Sequence, residues 1–190
     1  NDLIKELIKK KKYKFRIITA KPYYNYTNKN KVNLKTFEGQ KVIRISSFKP
    51  NKKNLISVFL NYFTYISGTL IFSLKLIFYK SNCNFVFATS PLYQAIPALF
   101  ISKIKNIPTI IWVQDLWPEV LEDHGYKNRI LIFFLTLLSK YIYNSSNIIL
   151  VQNIEFKKYL SLKYNLKNIR ILYNPSPYNF QEIPNNYIKN

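Results

Sequence analysis

Three of the chain's nine carboxylates, Asp115, Glu119 and Glu122, fall in or just beyond the run WVQDLWPE (112–119), which also holds both of its tryptophans. The chain around them is strongly basic, with 29 Lys and Arg and a net charge of +20. A carboxylate such as Asp115 can accept a sugar hydroxyl or a proton, and it can equally cap the helix that follows. Asp115 is the candidate catalytic group. Gln114 beside it offers an amide, and Trp117 offers a ring on which a sugar could stack. Glu119, next to Pro118, suits a helix start through the helix dipole, and Trp112 reads as core. A second candidate lies at Thr89-Ser90-Pro91, a helix-start signal whose exposed amides, with the Ser90 hydroxyl, can meet a phosphate or a sugar. His124, beside Asp123, could act as a base, although a lone His in a polar loop is ordinarily solvated. The chain has no dinucleotide fingerprint, no P-loop and no Ser/His/Asp set with useful spacing. One Cys and one His leave no disulfide framework and no zinc site.

These residues need elements to hold them. Apolar residues at helical spacing predict a helix around Leu3 to Ile8. Short apolar runs predict strands at 15–19, 41–46, 84–88, 108–113, 147–151 and 169–173. Helical patterns fall at 55–79, 92–104, 130–143 and 154–164. Strands alternating with helices imply an α/β fold, a Rossmann-like, doubly wound parallel sheet covered on both faces. The polar turns AKPYYNY, TSPLY, QDLWPE, QNIE and NPSP each follow a strand. In open α/β sheets ligands bind at that carboxyl edge. The expected domain runs over 1–180, with 181–190 as a polar tail or linker.

The run LISVFLNYFTYISGTLIFSLKLIFY (55–79) has no acid and one base, Lys75. It is long enough to cross a bilayer, but a crossing there would split the alternation of strands. A helix lying on the sheet, either as an ordinary cover or with one face at lipid headgroups, fits better. The net charge favours anionic partners. It also follows from a composition heavy in Lys, Asn, Ile and Tyr, of the kind AT-rich coding produces. Nucleic-acid signatures are absent despite the charge, so no nucleic-acid partner is expected.

The ordered set FATSPLYQAIPALFISKIKNIPTIIWVQDLWPEV, NIILVQNIEFKKYL and IRILYNPSP resembles the N-terminal domain of glycosyltransferase family 4, in the branch that builds O-antigen, colanic acid and capsule polysaccharides. The matching residues are Thr89 to Pro91, Asp115 to Glu119, Val151 to Leu160 and Leu172 to Pro175. The resemblance implies one half of a glycosyltransferase B-type fold, the half that mainly binds the acceptor. It implies a retaining transfer from a nucleotide sugar to a glycan, often carried on polyprenyl diphosphate at the inner face of the bacterial cytoplasmic membrane. No cofactor or metal ion is expected; the nucleotide-sugar donor is a co-substrate. Under it Asp115 would be catalytic, and Ser90, Gln114, Trp117 and Lys21 would bind the acceptor. The chain departs from the family at Gln114, where many members have His, and at Pro175, where they have Gly. The family's first strand with its Gly-rich loop would precede Asn1, and its donor-binding domain would follow. Alone, the chain is therefore expected to be inactive, whether as a fragment, a truncated gene product or half of a two-subunit enzyme. The alternative is a non-catalytic membrane-associated subunit that recruits a separate donor-binding chain.

Overall fold

A computed structural model describes residues 2–9, 13–21, 35–51, 55–89, 91–123 and 125–174. In chain order the elements are α1 (Asp2–Lys9), β1 (Arg16–Ala20), β2 (Thr36–Phe37), β3 (Gln40–Ile45), α2 (Leu55–Leu76), β4 (Asn84–Ala88), a 3-10 turn (Leu92–Ala95), α3 (Ile96–Lys105), β5 (Thr109–Val113), α4 (Glu119–Asp123), α5 (Arg129–Asn144), β6 (Ile148–Val151), α6 (Ile154–Tyr164) and β7 (Ile169–Ile171). The fold is α/β, with a four-stranded, all-parallel sheet flanked by helices and ordered β4-β5-β6-β7.

One continuous sheet was the expectation, and the described strands form two. β1 and β3 pair in parallel, and β2 joins β3 as an antiparallel hairpin strand. The hairpin turns on Glu38 and Gly39, both at positive φ (48° and 73°), as the turns matched to strand twist require. No hydrogen-bonded ladder joins β1 to β4, so each has a free edge among the described residues. Arg16 nevertheless lies over the Tyr79 ring at 4.2 Å, which brings the start of β1 close to the segment entering β4.

The core forms on one face of the four-stranded sheet. Ala88, Ile111, Val113, Ile149, Val151 and Ile169 are buried there, against Leu99, Ile142, Tyr143 and Leu160. Alternation sends Phe85, Phe87, Ile110, Trp112, Ile148 and Leu150 to the other face. Phe85 and Phe87 stay exposed on it, while Trp112 is buried edge-on against Phe87 with ring centroids 5.1 Å apart. With only three glycines, the chain uses Asn for left-handed helix ends: Asn106 (φ 51°) closes α3 and Asn165 (φ 54°) closes α6. Asn side chains also open helices. Asn128 caps α5 at Leu131 N (3.1 Å), and Asn153 caps α6 at Phe156 N (2.7 Å).

The helix expected over 92–104 begins instead with the 3-10 turn, preceded by an extended Pro91 with no side-chain cap, and becomes α-helical at Ile96. Prolines 91 and 97 bracket this turn. Helix α2 reverses the usual pattern of burial. Ser57, Thr69 and Ser73 face inward, while Ile56, Phe63 and Ile71 are exposed. Its polar groups hold the segment after β3: Phe48 N donates to Thr64 Oγ1 (2.8 Å), Asn51 N to Ser57 Oγ (2.6 Å), and Asn61 Nδ2 to Phe48 O (2.5 Å). Gly68 lets α2 approach β3; a Cβ there would stand 2.9 Å from Ile45 Cγ2. By length and composition alone, Ile56–Leu76 is apolar enough to cross a membrane.

Candidate functional site

The carboxyl edge of the four-stranded sheet gathers a row of polar side chains, one after each of three strands. Gln114 follows β5, Gln152 follows β6, and Asn174 comes three residues after β7. Gln114 N donates to Ala88 O at 3.0 Å, extending the ladder between β4 and β5 by one bond. Gln152 Nε2 donates to Gln114 O at 2.9 Å, and Asn174 Nδ2 donates to Gln152 Oε1 at 2.6 Å. The side-chain Nε2 of Gln114 is buried with no protein partner among the described residues. Gln152 and Asn174 fall in the strand-end turns QNIE and NPSP of the sequence, but neither is among the site residues expected from it.

Asp115 comes next after Gln114 and is half-buried. Among the described residues no side chain is bonded to or ion-paired with its carboxylate. Partial burial disfavours its charged form and raises its pKa above the ordinary carboxylate value. A half-dry carboxylate with free lone pairs can take a hydroxyl hydrogen bond or a proton.

Trp117 is placed differently from its assigned role as an acceptor contact. It is 5 % exposed and sits edge-on to Tyr93, centroids 5.6 Å apart, within the core cluster. That burial leaves little of the ring for a sugar, and packing accounts for it. The Trp117–Pro118 bond is cis. Trp112 is core, as expected.

Glu119 does more than open a helix. Its Oε1 accepts from Tyr159 Oη at 2.8 Å and from the Lys163 ammonium, which pins α4 to α6. Burial works against the charged form of Lys163, but the hydrogen bonds to Glu119 and Tyr159 outweigh it and hold its pKa above the ordinary range. Tyr93 is pushed up to about 12, chiefly by burial, with Ser139 opposing and Glu119 adding to the shift. Lys163 and Tyr159 lie more than 39 residues from Glu119 in the chain, so nothing in local spacing announces the pin.

Lys21 follows β1 in the other sheet, exposed, with its amide donating to Ile45 O at 2.9 Å. It shares the carboxyl-edge position with Gln114 and Asp115, but no contact joins it to them among the described residues. Ser90 and His124 lie outside the described residues. So does Pro175, the residue that departs from the family pattern. A shallow cleft of about 490 Å³ opens beside α4 and the start of α5, lined by Glu122, Tyr126, Lys127, Arg129, Ile132 and Phe133. Among the described residues no three His, Cys, Asp or Glu side chains come together to hold a metal ion. No protein-family model matches the chain, and the search of curated proteins gives no match either.

Proposed function

We propose that this chain is the acceptor-side half of a retaining glycosyltransferase, which positions a lipid-linked glycan for transfer from a nucleotide sugar bound mainly by a second, donor-binding unit. The observation that carries the reading is Asp115, a half-buried carboxylate with no bonded partner among the described residues, beside the amide row at the carboxyl edge of a parallel sheet. That edge is where open α/β sheets place ligands. In this reading Asp115 takes the hydrogen bond of the attacking acceptor hydroxyl, and Gln114 helps orient the sugar. Lys21 and Ser90 are assigned to the acceptor on the family resemblance.

The two free strand edges also support it. A parallel strand between β1 and β4 would join the sheets in the order β2-β3-β1-new-β4-β5-β6-β7. Such a sheet is wound one way from the new strand to β3 and the other way through β7. That is the doubly wound arrangement, with its switch point beside β4 and its ligand crevice at the same carboxyl edge. The first strand of the glycosyltransferase domain fills this role in the proposal.

The test is reconstitution. The chain, with a donor-binding glycosyltransferase unit supplied in the same polypeptide or separately, is assayed for transfer of a labelled sugar to a polyprenyl-diphosphate-linked acceptor. Asp115→Asn is expected to lower transfer about 100-fold or more, the span typical of a lost proton-accepting group. Full transfer by the Asn variant would leave this chain as a recruiting subunit without catalytic groups. A polynucleotide affinity above that for anionic vesicles would point away from glycosyl transfer altogether.

A further inference from the structure

Two helices present apolar stripes to solvent where a water-soluble surface would be polar. On α5, Ile130, Phe133, Phe134, Leu137 and Tyr141 are between 48 % and 71 % exposed, at the spacing of one helical face. On α2, Ile56, Phe63 and Ile71 are between 68 % and 71 % exposed while Ser57, Thr69 and Ser73 turn inward. The 3-10 turn at Leu92–Ala95 touches both helices, so they lie as neighbours around it. Neither helix carries an acidic residue. Lys75 lies on α2, Arg129 and Lys140 lie on α5, and Lys127 joins Arg129 in the cleft at the foot of α5.

We propose that α2 and α5 together form a docking face that lies in the surface of an anionic bilayer, with Lys127, Arg129 and Lys140 at the phosphates. An in-plane pose follows from the hydrogen bonds of α2. Ser57, Asn61 and Thr64 hold the 48–51 segment, and Gly68 sits against Ile45. A helix crossing the bilayer would have to give these contacts up, whereas a helix lying in the headgroup region keeps them on one side and buries its other side in acyl chains. Charge selects the occupant. A chain of net charge +20 repels a second copy of itself and attracts anionic lipid. The proposal goes beyond the transfer reading, since it concerns attachment and holds whatever the site transfers.

The experiment is co-sedimentation of the full chain with vesicles of phosphatidylglycerol and phosphatidylethanolamine, against neutral phosphatidylcholine vesicles. Because it involves no sugar transfer, its failure would be distinct from failure of the glycosyltransferase reading. Two double variants on exposed positions, Phe133→Ser with Phe134→Ser on α5 and Phe63→Ser with Ile71→Ser on α2, are compared with the parent, with thermal melts to confirm folding. Each double variant is expected to lower partitioning on anionic vesicles on the order of 30-fold, from two lost apolar side chains. Lys127→Gln with Arg129→Gln should weaken anionic binding by about 10-fold or more, leaving neutral binding unchanged. Parent-like binding by either apolar variant overturns the two-helix face. So does equal binding to neutral and anionic vesicles, or a stable dimer that the apolar variants dissolve.

Discussion

Removing the Glu119 carboxylate tests whether α4, the short helix after the Asp115 turn, is held by its contact with α6. Glu119 is 17 % exposed and Lys163 31 % exposed, so the pair is neither solvated nor fully dry. Exposed ion pairs contribute about 0–1 kcal/mol, while breaking a fully buried one costs about 3–5 kcal/mol. Glu119→Ala removes the ion pair and the bond from Tyr159, so a loss of about 2 kcal/mol is expected, with Tm lower by roughly 4–8 °C for a domain of this size. Glu119→Gln keeps an acceptor for Tyr159 and should lose about 1 kcal/mol. In a cycle with Lys163→Met, a coupling of about 1 kcal/mol is expected. The pH dependence has a definite sign. The pKa of Lys163 is raised in the folded chain, so its contribution is complete below the unfolded value of about 10.4 and is lost as pH rises through the higher folded value. Urea denaturation of the parent, the three single variants and the double variant at neutral and alkaline pH measures all of this. A cost below about 0.5 kcal/mol for Glu119→Ala, the range of unremarkable surface changes, or a coupling of zero, would refute the pin.

Three further outcomes are expected. Asp115→Asn should leave stability at pH 7 unchanged or raise it by up to about 0.5 kcal/mol: the raised carboxyl pKa means that ionisation opposes folding, and this penalty vanishes below about pH 3.9, where the unfolded carboxyl is also neutral. Chemical denaturation at pH 3 and pH 7 checks it, and a clear loss of stability at pH 7 would show a partner for Asp115. Gly68→Ala should destabilise by about 1 kcal/mol, because the clash with Ile45, of about 1–3 kcal/mol, exceeds the helix-propensity gain of about 1 kcal/mol; a stabilised variant would mean α2 can move away from β3. Asn153→Ala removes the cap on α6 and should cost about 1 kcal/mol in thermal melts.

Much of the fold could be read from the order of apolar runs. β4 and α6 fall at the expected bounds, and most other elements begin or end within a few residues of them, because a buried parallel strand is an apolar run and a covering helix has its own period. β2 escaped because two residues, Thr36–Phe37, carry no periodicity; the hairpin is announced only by Gly39. The split into two sheets was also hidden, since strand pairing is a long-range property that local pattern does not encode. At the site, position after a strand singled out the turns that hold Gln114, Asp115 and Gln152, but it does not tell that the Gln152 amide bonds to Gln114. Trp117 was misplaced because a ring beside a turn can face either way, and only the packing against Tyr93 decides which. The orientation of α2 was equally closed to inspection. Ser57, Asn61 and Thr64 look like solvent-facing residues until the segment they bond to is known.

Gly68 gives α2 a mechanical character. At that point the helix lies against Ile45 of the first sheet, and two residues earlier Ile66 packs on the core of the second. The helix is thus a strut resting on both sheets through neighbouring turns. A bulkier residue at position 68 would therefore be felt at both sheets, since it would push α2 off Ile45 while Ile66, half a turn away, holds to the other core.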